Sequence, residues 1–163
     1  MDAITKHKMT LTLPSDVEFR MTRTFDAPAA LVFRAWTEAQ HLPQWYGCGM
    51  AGLTKCDVDL TVYGGYRYTM HPSGAPIGTI FGVYREIAAP DRLVYTQGFV
   101  TDGFLSPNCL VTVTFVEENG RTTLTSSTVH SSKADRDAHL ASGVERGAAA
   151  SFDALEAYVR TMG

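Results

Sequence analysis

Cysteine is scarce in this 163-residue chain, and the three present, Cys48, Cys56 and Cys109, form no C-x-x-C pair. An odd number without paired spacing argues against a disulfide framework and supplies no zinc-finger pattern, so no metal site is expected and the thiols read as reduced core groups. No H-E-x-x-H helix or clustered carboxylate pair occurs. Gly64-Gly65 lacks the Lys-Ser/Thr of a phosphate-binding loop and reads as a bend. No serine or cysteine stands in a nucleophile motif, and His71, His130 and His139 read as surface histidines, so catalytic residues stay unassigned and no cofactor is implied. Charge is sparse too: charged residues make up 19%, against roughly 25% in an average domain. Fourteen basic and seventeen acidic residues leave a net charge of −3 without a basic run, which argues against nucleic acid or an anionic membrane as partner. The stretch from Met1 to Asp16 has lysines and a short apolar patch around Leu11 and Leu13, too little for a secretory signal or membrane anchor. A cytoplasmic protein without membrane insertion is expected.

The chain does have apolar residues, 45% of the total, and a length that suits one domain. Positions 17 to 25 alternate, with Val17, Phe19, Met21 and Phe25 on one side and Arg23 breaking that side, which predicts a half-buried strand. Asp26 offers an N-cap with Pro28 in the first turn, and Leu31, Val32, Ala35 and Trp36 share a helical face. A second short helix is predicted over Glu38 to Trp45. Period-two patterning then predicts six strands, over Thr54–Leu60, Tyr66–His71, Ile77–Ile87, Arg92–Phe99, Cys109–Glu117 and Arg121–His130. Asn119-Gly120 suits the two positive-φ positions of a type I′ hairpin, so neighbouring strands should pair antiparallel. Ser132 to Asp135 makes a capping start. Leu140, Val144, Ala148, Ser151, Leu155 and Val159 then recur at helical spacing, predicting one closing helix on the order of 40 Å long.

The order of strand, two short helices, six strands and long helix resembles the START-like (SRPBCC) superfamily. Closer wording comes from Ala27-Pro28, Leu31-Val32-Phe33, Ala35-Trp36-Thr37, Leu42 and Trp45-Tyr46-Gly47. Asp59-Leu60 before Gly64-Gly65, Gly82 through Ile87 before Pro90, Arg92-Leu93-Val94, Gly120-Arg121-Thr122, and Gly143 with Glu145-Arg146-Gly147 continue it. These motifs, spanning roughly Val17 to Val159, are similar to the branch of homologues of the heat-shock-protein-90 ATPase activator. Relatives usually carry an arginine shortly after the aspartate, where this chain reads Thr61-Val62-Tyr63, so no role is carried over for it. The resemblance implies an α+β helix-grip fold. A curved seven-stranded antiparallel sheet would wrap the C-terminal helix over residues 17–163, preceded by a short extension over 1–16.

That fold implies a cavity between sheet and helix. An empty, dry pocket of about 300 Å³ would cost roughly 7 kcal/mol, comparable with a domain's stability, so such a space must be filled or wetted. Trp45, Tyr46 and Met50 are expected at its rim. Tyr66, Tyr68 and Met70, then Phe81 with Val83, Tyr95 with Phe99, and Val113 with Phe115 form period-two rows expected to line it. Arg23 either anchors a polar end of the ligand or pairs with an acidic residue at the sheet edge. The small residues Ser142, Gly143 and Gly147 to Ala150 either pack the helix closely on the sheet or set the cavity's size. The first functional expectation is binding of an apolar small molecule, lipid-like, polyketide or aromatic. The second is a cyclase/dehydratase-type enzyme in which Tyr or His groups move protons. A chaperone partnership, implied by the branch alone, ranks last because only a short extension precedes Val17, and the open sheet edges leave room for a homodimer.

Overall fold

Alternation of apolar and polar side chains builds one large antiparallel sheet. The computed structural model describes residues 7–47, 53–70 and 78–163. Met50, Cys48 and His71 lie outside the described residues. Nine strands are found among the described residues. They are β1 (Thr10–Ser15), β2 (Glu18–Phe25), β3 (Leu53–Val58), β4 (Gly65–Met70), β5 (Gly78–Ala88), β6 (Arg92–Thr101), β7 (Phe104–Leu105), β8 (Cys109–Glu118) and β9 (Arg121–Val129). They pair in the order β1-β2-β9-β8-β6-β5-β4-β3, with β7 added to β6. The seven expected strands are present, and two short exposed ones extend them. Thr10 to Ser15 forms a strand because its backbone pairs with β2, Leu11 opposite Met21, although most of its side chains face solvent.

The helices lie on the concave face. They are α1 (Ala29–Thr37), α2 (Lys133–Ala141) and α3 (Val144–Met162), with a 3₁₀ turn at Leu42–Gln44 where a second short helix was predicted. The cap of α1 differs from expectation. Pro28 takes the N-cap position and has no capping side chain, so the carboxylate of Glu117 on β8 accepts from the Ala29 amide at 2.7 Å. That places a negative charge at the positive end of the helix dipole. Asp26 faces Arg121 instead, at 3.0 Å.

The single closing helix is in fact two. Apolar spacing runs unbroken from Leu140 to Val144, but Gly143 adopts φ 90°, a left-handed conformation that ends α2 and lets the chain restart in a new direction. The 19 residues of α3 therefore span about 28 Å, not 40 Å. The capping start holds, since Ser132 Oγ accepts from the Asp135 amide. The Asn119-Gly120 hairpin turn also forms as read, with φ 55° and 76°. On its inner face α3 buries Gly147, Ser151, Phe152, Leu155 and Val159. Ser151 Oγ accepts from the Gly47 amide at 3.1 Å, tying the helix to the turn after Trp45. Of the small residues expected to pack closely or to set a cavity's size, Gly147 is buried and Ala148 to Ala150 are half-buried, whereas Ser142 and Gly143 are exposed.

Candidate functional site

Strand register decides which side chains can meet. Tyr84 stands opposite Tyr95, Tyr95 opposite Val111, Val111 opposite Thr128 and Thr128 opposite Phe19, one row across five strands on the concave face. Cys56, Tyr68, Ile80 and Phe99 form a second such row. Tyr66 lies opposite Gly82. A Cβ on Gly82 would fall 1.8 Å from Thr96 O and 2.7 Å from the Tyr66 ring, so glycine is what lets the phenol lie flat across β5. The Tyr66 hydroxyl then donates to Thr96 O at 2.7 Å.

These rows gather an aromatic cluster. Ring centroids of Tyr66 lie 4.9, 5.4 and 5.5 Å from those of Tyr68, Tyr84 and Tyr95. Tyr46 joins Tyr68 at 5.2 Å, Trp45 joins Tyr46 at 5.5 Å, and Trp36 joins Trp45 at 5.0 Å. Most of these contacts are edge-on or tilted, the arrangements that ring quadrupoles favour. Trp36 Nε1 donates to Tyr95 Oη at 3.3 Å. Burial pushes every phenol of the cluster upward. Tyr84 reaches about 12, with a hydrogen bond to Tyr68 acting in the opposite direction, while Tyr46, Tyr66, Tyr68 and Tyr95 are raised further, desolvation being the first cause in each. At neutral pH all five are neutral phenols, able to donate or accept a hydrogen bond but unsuited to act as bases.

Beside this cluster a cleft of about 900 Å³ runs along strands β3 to β7, reached by Ala39 just after α1; no described residue of α3 borders it, so it is not the expected space between sheet and C-terminal helix. Its border includes Cys56, Val58, Tyr66, Phe81, Val100 and Leu105, with Asp57, Asp59 and Arg67 among its polar groups. Of the twelve expected site residues, Tyr66 and Phe81 border this cleft. Tyr68 and Tyr95 stand beside Tyr66 in the cluster. Phe99 shares the second concave row, while Met70 pairs with Gly78 at the end of β4. Trp45 and Tyr46 belong to the packed interior instead of an open rim, since Trp45 is 1% exposed and its Nε1 donates to Ala35 O at 2.9 Å. Val113 and Phe115 are buried beneath α1, with Phe33 5.3 Å from Phe115.

Phe81 needs a correction of face. With Asp57, Arg67 and Gly98 it forms a row on the convex side, where its ring covers Gly98. Tyr84, not the Phe81 and Val83 pair, supplies the concave aromatic of β5. The odd positions of this strand look more apolar than the even ones. The available signal was the even row Gly82 and Tyr84, a glycine making room for Tyr66 and an aromatic beside it. Arg23 does face inward, with 2% of its surface exposed, and pairs with Asp153 of α3 at 2.7 Å. It stands on β2, four places along the sheet from β5, so it is separated from the cleft. Its partner lies on the helix, not at the sheet edge.

A sheet wrapped over helices on one face, closed by a C-terminal helix, defines the helix-grip class, and comparison with solved structures agrees. A protein of Rhodobacter sphaeroides superposes with a TM-score of 0.85 at 20% identity, over 94% of this chain and 99% of its own. One from Arthrobacter aurescens gives 0.84 at 20% identity, covering 93% and 91%. One from Staphylococcus epidermidis gives 0.79 at 27% identity, covering 95% and 96%. The family model described as activator of Hsp90 ATPase homolog 1-like protein matches residues 26–160, and the chain belongs to that family. No curated protein matches the sequence. Among the described residues no helix is long and apolar enough to cross a membrane.

Proposed function

We propose that this chain binds an apolar small molecule, acyl or ring-containing, in the cleft along β3 to β7, whose border joins Tyr66 to the convex-face side chains Phe81, Val100 and Leu105. The observation that carries this reading is the cleft of about 900 Å³ with its apolar border of Val58, Tyr66, Phe81, Val100 and Leu105. Its size lies within the roughly 300–1,000 Å³ of small-molecule sites, which combine apolar walls with a few polar groups. Asp57, Asp59 and Arg67 would meet the polar end of such a ligand. Burial of some 300 Å² at about 25 cal/mol per Å² supplies roughly 7 kcal/mol before the costs of association, so micromolar affinity is the ceiling.

The test uses isothermal titration with a panel of medium-chain acyl and polycyclic aromatic compounds against the unaltered chain and two variants, Val58→Asp and Leu105→Glu. Leu105 is 65% exposed, so its replacement leaves the core intact. Each charge at the border should weaken binding by about tenfold, equivalent to about 1.4 kcal/mol. Equal affinity in all three proteins would place the ligand elsewhere.

A further inference from the structure

Away from the cleft, the fold assembles three metal-ligating side chains at the end of β8 and β9. Leu110 pairs with Val129, and continuing that register sets Cys109 opposite His130. The His130 amide donates to Val17 O at 2.8 Å, which extends the ladder to the strand beside it. His139 arrives from α2, whose start is fixed by the Ser132 cap and whose Arg136 guanidinium donates to Ser15 O. Cys109 Sγ and one nitrogen of each imidazole lie within 4.8 Å of one another. Phe19 packs against both imidazoles, with centroids at 5.3 and 5.0 Å.

The proton inventory shows what this group can accept. His130 Nδ1 lies 3.0 Å from Val17 O, which can only accept, so in the neutral ring Nδ1 carries the hydrogen and Nε2 presents a lone pair. His139 Nδ1, 2.9 Å from that lone pair, must then donate to it. Moving the His139 proton from Nδ1 to Nε2 turns two lone pairs toward one point. A backbone carbonyl holding the far nitrogen of an imidazole is a contact that orients metal-bound histidines.

We propose that Cys109, His130 and His139 form a Zn²⁺ site, with one thiolate, two imidazoles and a fourth position for water. In a tetrahedral zinc site the nitrogens stand about 3.3 Å apart, with sulfur about 3.6 Å from each. The ligand atoms, all within 4.8 Å of one another, are already gathered at the scale of such a site. On binding, the Cys109 S–H bond breaks, its proton passes to solvent and sulfur bonds the ion as thiolate. A thiolate with two imidazoles selects zinc over calcium or magnesium, which take oxygen ligands. Sequence inspection misses the site because its members lie in β8, after β9 and in α2, outside any zinc-finger spacing. The site stands independently of the small-molecule reading.

The test is titration of the reduced, metal-free full chain with Zn²⁺ and, separately, Co²⁺, alongside Cys109→Ser, His139→Gln and, as a control, His7→Ala. Circular dichroism establishes that each variant is folded. The expected result is one Zn²⁺ per chain, with affinity reduced at least about tenfold in the first two variants and unchanged in the control. Co²⁺ should give a thiolate-to-metal charge-transfer band that is lost in Cys109→Ser. Absence of one-to-one binding, or binding unaltered in both site variants, would overturn the proposal.

Discussion

Replacing Trp45 by alanine is expected to remove about 3–5 kcal/mol of stability, the range for truncating a buried tryptophan. Trp45 is 1% exposed and holds three things at once. Its ring packs against Trp36 at 5.0 Å and Tyr46 at 5.5 Å, and its Nε1 satisfies the carbonyl of Ala35, one of the last-turn carbonyls that α1 cannot pair internally. Trp45→Phe keeps much of the ring burial but strands that carbonyl, so it should fall between the parent and the alanine variant. Urea unfolding followed by far-ultraviolet circular dichroism gives both values. Against a whole-domain stability of roughly 5–15 kcal/mol, that is a large share of the total. A loss below about 1 kcal/mol would mean that the aromatic cluster is loosely packed.

The second large effect concerns the pair between Arg23 and Asp153, whose two members should respond oppositely. Arg23 is enclosed, with its side chain 1% exposed, whereas the Asp153 side chain is 49% exposed. Among the described residues two of the guanidinium nitrogens, Nε and Nη2, have no hydrogen-bond partner, so the aspartate and the Phe25 ring at 5.4 Å are what stabilise the charge. Asp153→Ala leaves a buried charge without its carboxylate and should cost about 3 kcal/mol, the low end for a broken buried pair because the aspartate is half in water. Arg23→Met removes the desolvated charge and should be neutral or stabilising by about 1 kcal/mol or more. In the double variant the cost of losing Asp153 should largely vanish. If Arg23→Met instead destabilised as much as Asp153→Ala, the guanidinium would have partners that offset its burial.

The β-rich plan was legible because period-two alternation is a local property. Phe19, Met21 and Phe25 mark their own strand, and Asn119-Gly120 marks its own turn. Face assignment was less legible where both faces are apolar. In β5, Phe81 and Val83 on the convex side compete with Ile80 and Tyr84 on the concave side, and only pairing with Tyr66 and Tyr95 settles which is which. The break between α2 and α3 escaped periodicity because Leu140 and Val144 keep helical spacing across Gly143, whose backbone angle alters direction without altering the pattern. Thr10 to Ser15 forms a strand from backbone pairing with β2, which its largely exposed side chains do not encode. The cleft and the Cys109, His130 and His139 group depend on residues distant in sequence, joined by strand order. Family motifs therefore located the fold more closely than the site.

The central claim, that the cleft holds an apolar small molecule, is tested most directly by a native mass spectrum of freshly purified protein, repeated after denaturation. The account predicts a reproducible excess over the chain mass that disappears on denaturation and is reduced in Leu105→Glu, releasing an apolar compound of the size the cleft admits. A spectrum showing the chain mass alone, unchanged after incubation with the acyl and aromatic panel, would contradict it.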